Sequence, residues 1–344
     1  MKAIADFISS THIDYHIESS IIQKVQASLG KEMKVDGWVS LLLSNKTYVV
    51  LKFNNGVFMN QGFVVSDQKV LKVLGNHQIG DSLYSGESIV EDIADLDYGS
   101  RFEGSILPEN DGKKKIPFGY GEMYDDNGSL LYKGTMINWK RFGYGTSYHD
   151  NGLKEYEGYW CDDNRFGSGK VYDRKGRVIK ECEWYNGVEY NINDYEGDGS
   201  KHMSIGMKHL KLTDNCILKD WDVSLFYNLE SIEIGDECFE LAQTFKIDGL
   251  NRLKSLKIGY NSFTGQKDYV GNDETKSFHI LNCESLESIE IGRYSFSDFG
   301  GAFELKNLPQ LQSISIGEIG GFSYNFCCCS FEIRGINMIY KKFE

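Results

Sequence analysis

Proline is nearly missing from this chain, with three residues among 344 against thirty-seven glycines. That excludes a polyproline or collagen-like design, both of which need proline or a strict glycine period throughout. No run of about 18 apolar residues occurs, which argues against a helical membrane span. Met1 to Ser10 lacks a basic start followed by an apolar core and a small-residue cleavage site, so secretion is not expected and the chain reads as cytoplasmic. Positive charge is in deficit: the net charge is −13, with 8 basic and 12 acidic residues before 101, 14 and 15 through 190, and 15 and 23 thereafter. A surface of that sign repels phosphate, so nucleic acid is not an expected partner. The eight cysteines, at 161, 182, 216, 238, 283 and 327–329, show no Cys-x-x-Cys spacing. Adjacent thiols in a strand point to opposite faces, so Cys327, Cys328 and Cys329 do not suit one metal, and no metal or cofactor is expected.

What the chain has is repetition. The pairs Gly119/Gly121, Gly143/Gly145 and Gly167/Gly169 fall 24 residues apart. One unit runs Tyr132, Gly134, Met136, Gly143, Gly145, Tyr148, and the next runs Tyr156, Gly158, Trp160, Gly167, Gly169, Tyr172 at the same offsets. An earlier unit starts Phe102, Gly104, Ile106 and carries an insertion near Pro108 to Lys113; a fourth keeps Trp184 and Gly187. Alternation of aromatic and glycine has the period of a strand, and Asp-Asn-Gly at 126–128 and 150–152 supplies turns, so each unit reads as a short β-hairpin. One hairpin is marginal in water, which makes stacking the source of stability. The pattern resembles the MORN repeat family over about residues 102–187. That resemblance implies a rod-like stack used for scaffolding, dimerisation or placement near membranes. Met136 and Ile106 stand where the family commonly has Trp, and Trp139 and Asp163 where it commonly has a turn glycine.

A second periodicity begins after the Gly/Asp-rich joint at 191–204. Leu229-x-Ser-Ile232-x-Ile234-Gly235 recurs from Leu253, Leu286 and Leu311, and each repeat has a Phe-x-aliphatic pair: Phe245/Ile247, Phe278/Ile280, Phe303/Leu305 and Phe331/Ile333. Two short apolar strands per unit joined by glycine turns describe a solenoid with parallel sheets on two sides. Residues 205–344 are similar to leucine-rich repeats of the Phe-containing bacterial and protist type. A polar insertion at Gly265 to Lys276 lengthens one unit. The outward positions Glu230/Glu233, Lys254/Lys257 and Glu287/Glu290 alternate in sign, as a self-neutralising ladder would.

Residues 1–100 carry no repeat. The spacing of Ile13, Ile17, Ile21, Val25 and Leu29 predicts a helix, and Val35 to Leu43, Thr47 to Phe53 and Val57 to Val65 read as strands. An α+β module or degenerate hairpins fit, and Gly86 to Tyr98 reads as a surface helix or linker. Gly75-x4-Gly80 has phosphate-loop spacing, but Asp81 replaces the required lysine. Asp194-x-Glu196-x-Asp198-Gly199 opens like a calcium loop, yet Ile205 stands where a bidentate glutamate is needed. No histidine forms a metal or nucleophile motif, so no catalytic residue is expected. The chain is therefore expected to be mainly β and non-enzymatic, a scaffold or adaptor with an unidentified protein partner and scope for homo-oligomers. Candidate partner-binding residues are Tyr132, Trp139, Tyr156 and Trp160. One alternative is peripheral binding to anionic lipid through Lys113, Lys114, Lys115, Lys140 and Arg141. Another is an enzyme with its site in residues 1–100, regulated by the repeats.

Overall fold

The computed structural model describes residues 22–29, 33–66, 70–74, 78–79, 82–83, 90–95, 99–107, 114–191, 193–219, 221–265, 273–317 and 323–336, with Asp6 and Ile8. His12, His16, residues 13–21 of the expected helix, the insertion at 108–113, Gly75, Gly80, Asp81 and residues 266–272 lie outside that set. The protein is mainly β. It divides into two compact units, Met1–Gln26 with Gly37–Asn191, and Ala27–Asp36 with Ile192–Glu344.

β1 (Ile22–Leu29), β2 (Val35–Leu43), β3 (Tyr48–Asn54), β4 (Val57–Val65) and β5 (Val70–Leu74) lie in that order in one sheet; Ala27–Leu29 of β1 and Val35–Asp36 of β2 belong to the second unit, and the remainder to the first. β6 (Gln78–Ile79) and β7 (Ser82–Leu83) form a separate short ladder. β1 corrects the helix expectation for residues 22–29. Val25, Ala27 and Leu29 alternate toward the interior, so strand pairing overrides the helical spacing.

The second sheet of this unit holds nine antiparallel strands in chain order: β8 (Val90–Asp95), β9 (Arg101–Leu107), β10 (Ile116–Tyr124), β11 (Leu130–Ile137), β12 (Lys140–Tyr148), β13 (Lys154–Cys161), β14 (Asn164–Tyr172), β15 (Val178–Tyr185) and β16 (Val188–Glu189). Over residues 90–95, β8 corrects the surface helix or linker expected at 86–98, the rest of which lies outside the described residues; its Ala94 is fully buried. Register places Gly104, Gly121, Gly134, Gly145, Gly158 and Gly169 in one row across six strands. The row is a flat trough, and the rings of Tyr132 and Tyr156 lie across it. A Cβ at Gly145 or Gly169 would collide with those rings. In β15 Cys182 takes the next place in the row, and there the repeat decays. Several hairpin turns have two residues at positive φ, including Asn138/Trp139 (51° and 62°) and Asp162/Asp163 (50° and 70°). That is the primed turn geometry suited to strand twist, adopted without the usual glycine.

The nine-stranded sheet is apolar on both faces. Phe118, Phe142 and Phe166, one residue before each Gly-x-Gly, join Trp38, Tyr48, Val50, Phe63 and Val65 of the first sheet in one core. The opposite face carries Phe102, Ile106, Tyr132, Met136, Tyr156, Trp160 and Trp184. Shared packing through the three phenylalanines is why residues 37–100 and 101–191 fall in one unit, although their sequence patterns differ.

The second unit contains β17 (Asp194–Gly197), β18 (Met203–Ser204), β19 (His209–Leu212), β20 (Ser231–Ile234), β21 (Thr244–Asp248), β22 (Ser255–Ile258), β23 (Ser277–Leu281), β24 (Ser288–Ile291), β25 (Ala302–Lys306), β26 (Ser313–Ile316) and β27 (Ser330–Arg334). β18 pairs with Ser28 and Leu29. The order β17-β19-β20-β22-β24-β26 makes one parallel sheet, and β21-β23-β25-β27 another. Leu210, Ile232, Leu256, Ile289 and Ile314 stand in line in the first sheet. Phe245, Phe278, Phe303 and Phe331 do so in the second, with centroids 4.8, 4.9 and 4.8 Å apart. A further column, Phe239, Phe263, Phe296 and Phe326, repeats at 4.8, 4.8 and 4.9 Å. These distances match the spacing of adjacent strands, so the backbone pairing itself sets the ring stacking. Each fully buried phenylalanine contributes roughly 1.5–3 kcal/mol.

Candidate functional site

The aromatic residues named from the sequence are mostly inside. Tyr132, Tyr156 and Trp160 are 2%, 0% and 2% exposed, and Trp139 is half-buried against the same cluster. Trp160 meets Tyr132 and Tyr156 edge-on at 5.8 and 4.9 Å. Arginines close the face: Arg141 lies 3.8 Å over Trp160, and Arg165 lies 4.7 Å over Tyr156 and 5.1 Å over Trp184. Burial pushes the Tyr132 and Tyr156 hydroxyls well above the usual tyrosine range. These rings are therefore packing elements, and three of the four candidates have no surface to offer a partner.

Three of the five basic candidates each face a carboxylate. Lys115 pairs with Asp92 at 2.7 Å, Lys140 with Asp162 at 2.5 Å, and Arg141 with Asp163. The Lys115 contact holds the Asp92 carboxyl below the usual range. Lys114 is exposed, and Lys113 lies outside the described residues.

The first unit has a cavity of about 20 Å³ lined by Lys24, Gln26, Ser40, Tyr48, Tyr159 and Ser168. That is room for about one water molecule. Lys24 donates to Ser168 and Glu183, both at 2.6 Å, and Ser168 donates to the same carboxylate oxygen at 2.7 Å. Gln26 reaches the other oxygen at 3.1 Å and the Trp184 carbonyl at 3.2 Å. The arrangement ties β1 to β14 and β15. The Glu196 side chain of the calcium-like string pairs with Lys211 at 2.7 Å, and Tyr195 between the acidic residues is buried. A strand has replaced the loop that calcium ligation requires. Cys327 and Cys328 lie in a turn, not a strand, and among the described residues no group of three His, Cys, Asp or Glu is placed to hold a metal ion.

On the first parallel sheet, Lys254 meets Glu230 at 3.0 Å and Lys257 meets Glu233 at 3.9 Å, so the outward charges neutralise one another. On the second, Lys306 and His279 flank Glu304 at 2.7 and 2.6 Å. Lys306, then His279, draw the Glu304 carboxyl down to about 2.

A different surface stands out at the turns of the second unit. After the glycines that end the first-sheet strands come Asp236-Glu237-Cys238-Phe239, Tyr260-Asn261-Ser262-Phe263 and Arg293-Tyr294-Ser295-Phe296, and Ser323-Tyr324-Asn325-Phe326 occupies the same place. In each set the second and fourth residues have positive φ, for example Tyr294 at 63° and Phe296 at 59°. The fourth residue, a phenylalanine, is buried in every set, whereas Tyr260, first in its set, and Tyr294 and Tyr324, second in theirs, stay partly exposed. Tyr294 stacks on Tyr324 at 5.9 Å and meets Tyr260 edge-on at 5.7 Å; Tyr260 and Tyr324 are each 44% exposed. The Arg293 guanidinium lies 4.7 Å over the Tyr294 ring and donates to its hydroxyl at 2.8 Å.

Beneath this patch runs a buried polar column. Cys216 N–H donates to Cys238 Sγ (3.4 Å), Cys238 N–H to Ser262 Oγ (3.1 Å), and Ser262 N–H to Ser295 Oγ (2.9 Å). Ser262 and Ser295 donate onward to the Gly235 and Gly259 carbonyls at 2.8 and 2.7 Å. Asn325 closes the column by donating to the Gly292 and Ser295 carbonyls, both at 2.8 Å. The tyrosines thus stand on turns that are hydrogen-bonded from below. Asp236, which accepts from Tyr260 N–H at 2.6 Å, and Asp214 rim one side.

No protein-family model matches this chain, and a search of curated proteins finds no relative. The patch was missed in the sequence because its tyrosines fall in turns, outside the alternation used to find strands. The residues between each Ile-x-Ile-Gly and its Phe were the available signal.

Proposed function

We propose that the chain is a non-enzymatic scaffold or adaptor, built from a MORN-type hairpin stack and a leucine-rich-repeat-like solenoid. It binds a protein partner through Tyr260, Arg293, Tyr294 and Tyr324. The repeat reading is supported by the glycine row at hairpin intervals and by parallel strands whose side chains line up unit after unit. The observation that carries the functional reading is the tyrosine patch. Interior phenylalanines of the same turns gain full burial, whereas Tyr260 and Tyr324 leave nearly half their surface in water. Packing does not require that exposure, and Tyr with Arg is the composition of interface anchors. A protein ligand is favoured over anionic lipid because Lys115, Lys140 and Arg141 each face a carboxylate.

The test is affinity capture from the native cell with wild-type protein and a Tyr294→Ala/Tyr324→Ala variant matched for folding by circular dichroism. Loss of about 2 kcal/mol, roughly thirtyfold in affinity, is expected for a specific partner. Unchanged capture by the folded variant would remove this surface from the account.

A further inference from the structure

Backbone hydrogen bonds set the turns of the second unit one beside another. Asp236 N–H donates to Asp214 Oδ1 at 2.8 Å, and Tyr260 N–H donates to Asp236 Oδ1 at 2.6 Å. Glu237 N–H donates to the Tyr260 carbonyl and Asn261 N–H to the Arg293 carbonyl, both at 2.9 Å. The first residues of successive turns therefore form one column: Asp214, Asp236, Tyr260 and Arg293. At one end its chemistry is completed within the chain, where the Arg293 guanidinium covers the Tyr294 ring and bonds to its hydroxyl. At the other end it is not. Among the described residues no lysine or arginine lies over Tyr260, and neither Asp214 nor Asp236 has a cation partner. All three side chains are exposed. Each aspartate engages Oδ1 with a backbone N–H, which leaves Oδ2 for an outside donor.

We infer that the occupant of this surface is a basic segment of a protein, with an arginine stacked on Tyr260 and paired with Asp236; this rests on the reading of the tyrosine patch as a partner-binding face and adds the partner's charge. A tyrosine face attracts a cation, and a guanidinium is weakly hydrated enough to lie flat on it. The same planar fork can donate to a carboxylate beside the ring, so Tyr260 and Asp236 together select arginine over a neutral side chain. Asp214, one turn further along, extends the negative rim toward a second basic residue. Arg293 does not cancel that rim, because one guanidinium already bonded to Tyr294 stands against two carboxylates. An acidic segment would set like charges against both aspartates, which disfavours it. The sign holds at longer range, since residues 191–344 carry 15 basic and 23 acidic side chains and steer cations toward this unit.

The test is selection of phage-displayed random peptides on the full chain, followed by anisotropy titration of the best peptide, synthesised with a fluorescent label. Selected peptides are expected to be enriched in arginine and lysine and depleted in aspartate and glutamate relative to the unselected library. Tyr260→Ala and Asp236→Asn should each weaken binding about tenfold. The asparagine keeps the oxygen that accepts from Tyr260 N–H, and unchanged circular dichroism confirms folding of both variants. Citrulline in place of the peptide's arginine should cost as much, and Asp236→Asn should then add no further loss, the coupling expected of groups in contact. Peptides that need Tyr294 and Tyr324 but show no basic enrichment would overturn the arginine assignment and leave the partner-binding face standing. Peptides indifferent to all three tyrosines would remove both. Basic peptides indifferent to Tyr260→Ala or Asp236→Asn, or no peptide retained at about 100 µM, would also overturn the inference.

Discussion

Ser262→Ala is expected to damage the second unit far more than its loss of one oxygen suggests. Ser262 is 0% exposed, accepts from Cys238 N–H and donates to the Gly235 carbonyl. Alanine strands one buried donor and one acceptor where water has no entry. Each unsatisfied group costs about 1–3 kcal/mol, so the loss is roughly 2–6 kcal/mol. Cys238→Ser is the matched control, since it installs at one turn the residue that occupies the same place in the next two, and it should change stability by less than about 1 kcal/mol. Because a chain of two units is not one cooperative transition, the readout should be local. Hydrogen exchange by mass spectrometry on peptides covering 231–264, across a urea series, gives the free energy of that region. If Ser262→Ala shifts it by less than about 0.5 kcal/mol, below the usual net value of one hydrogen bond, or if Cys238→Ser costs as much as Ser262→Ala, the column does not hold the turns as argued.

Four further outcomes are expected. Gly145→Ala, which drives a methyl group into the Tyr132 ring, should destabilise the hairpin stack by about 1–3 kcal/mol, seen as a lower urea midpoint for the first unit. Gly128→Ala meets no atom within 4 Å but has φ of 81°, so it should show the smaller cost of backbone strain alone. Arg141→Ala should uncover Trp160, red-shift its fluorescence and cost about 1–2 kcal/mol; a spectrum unchanged from wild type would contradict the stacking. Glu304 has its folded pKa drawn down to about 2, so its stabilisation is present above its ordinary value near pH 4.3 and disappears as pH falls toward 2. Glu304→Gln should flatten that part of the pH–stability curve of the second unit; an unaltered curve would show that its partners contribute nothing.

How much could be read from residues alone depends on the range of the contact. The glycine beat at Gly145 and Gly169 was legible because a Gly-x-Gly pair and a tyrosine at fixed offset sit in adjoining strands. The phenylalanine columns were legible for the same reason, since Phe245, Phe278 and Phe303 each repeat in the neighbouring strand. Phe142 has no partner legible in the sequence, because it packs on Trp38 and Phe63, which lie far from it in the chain. β1 was misread because Val25 and Leu29 satisfy helical and strand spacing alike. Arg141 was read as a lipid contact when its guanidinium is spent on Trp160, a pairing between strands whose register only the fold reveals. Asn282 and Asn307, hydrogen-bonded to each other at 2.8 Å and both at positive φ, escaped notice because Gly249 and Gly335 fill the equivalent positions in the other turns.

The most direct test of the tyrosine surface is photo-cross-linking from single positions in the native cell. A photoreactive residue at Tyr260 is compared with one at Tyr144, which is 49% exposed on the first unit. Position 260 is expected to capture a small set of proteins that position 144 does not, and those adducts should vanish in the Tyr294→Ala/Tyr324→Ala background. Identical adducts from the two positions, or adducts at 260 that persist without the two tyrosines, would contradict the assignment of this patch as the partner-binding face.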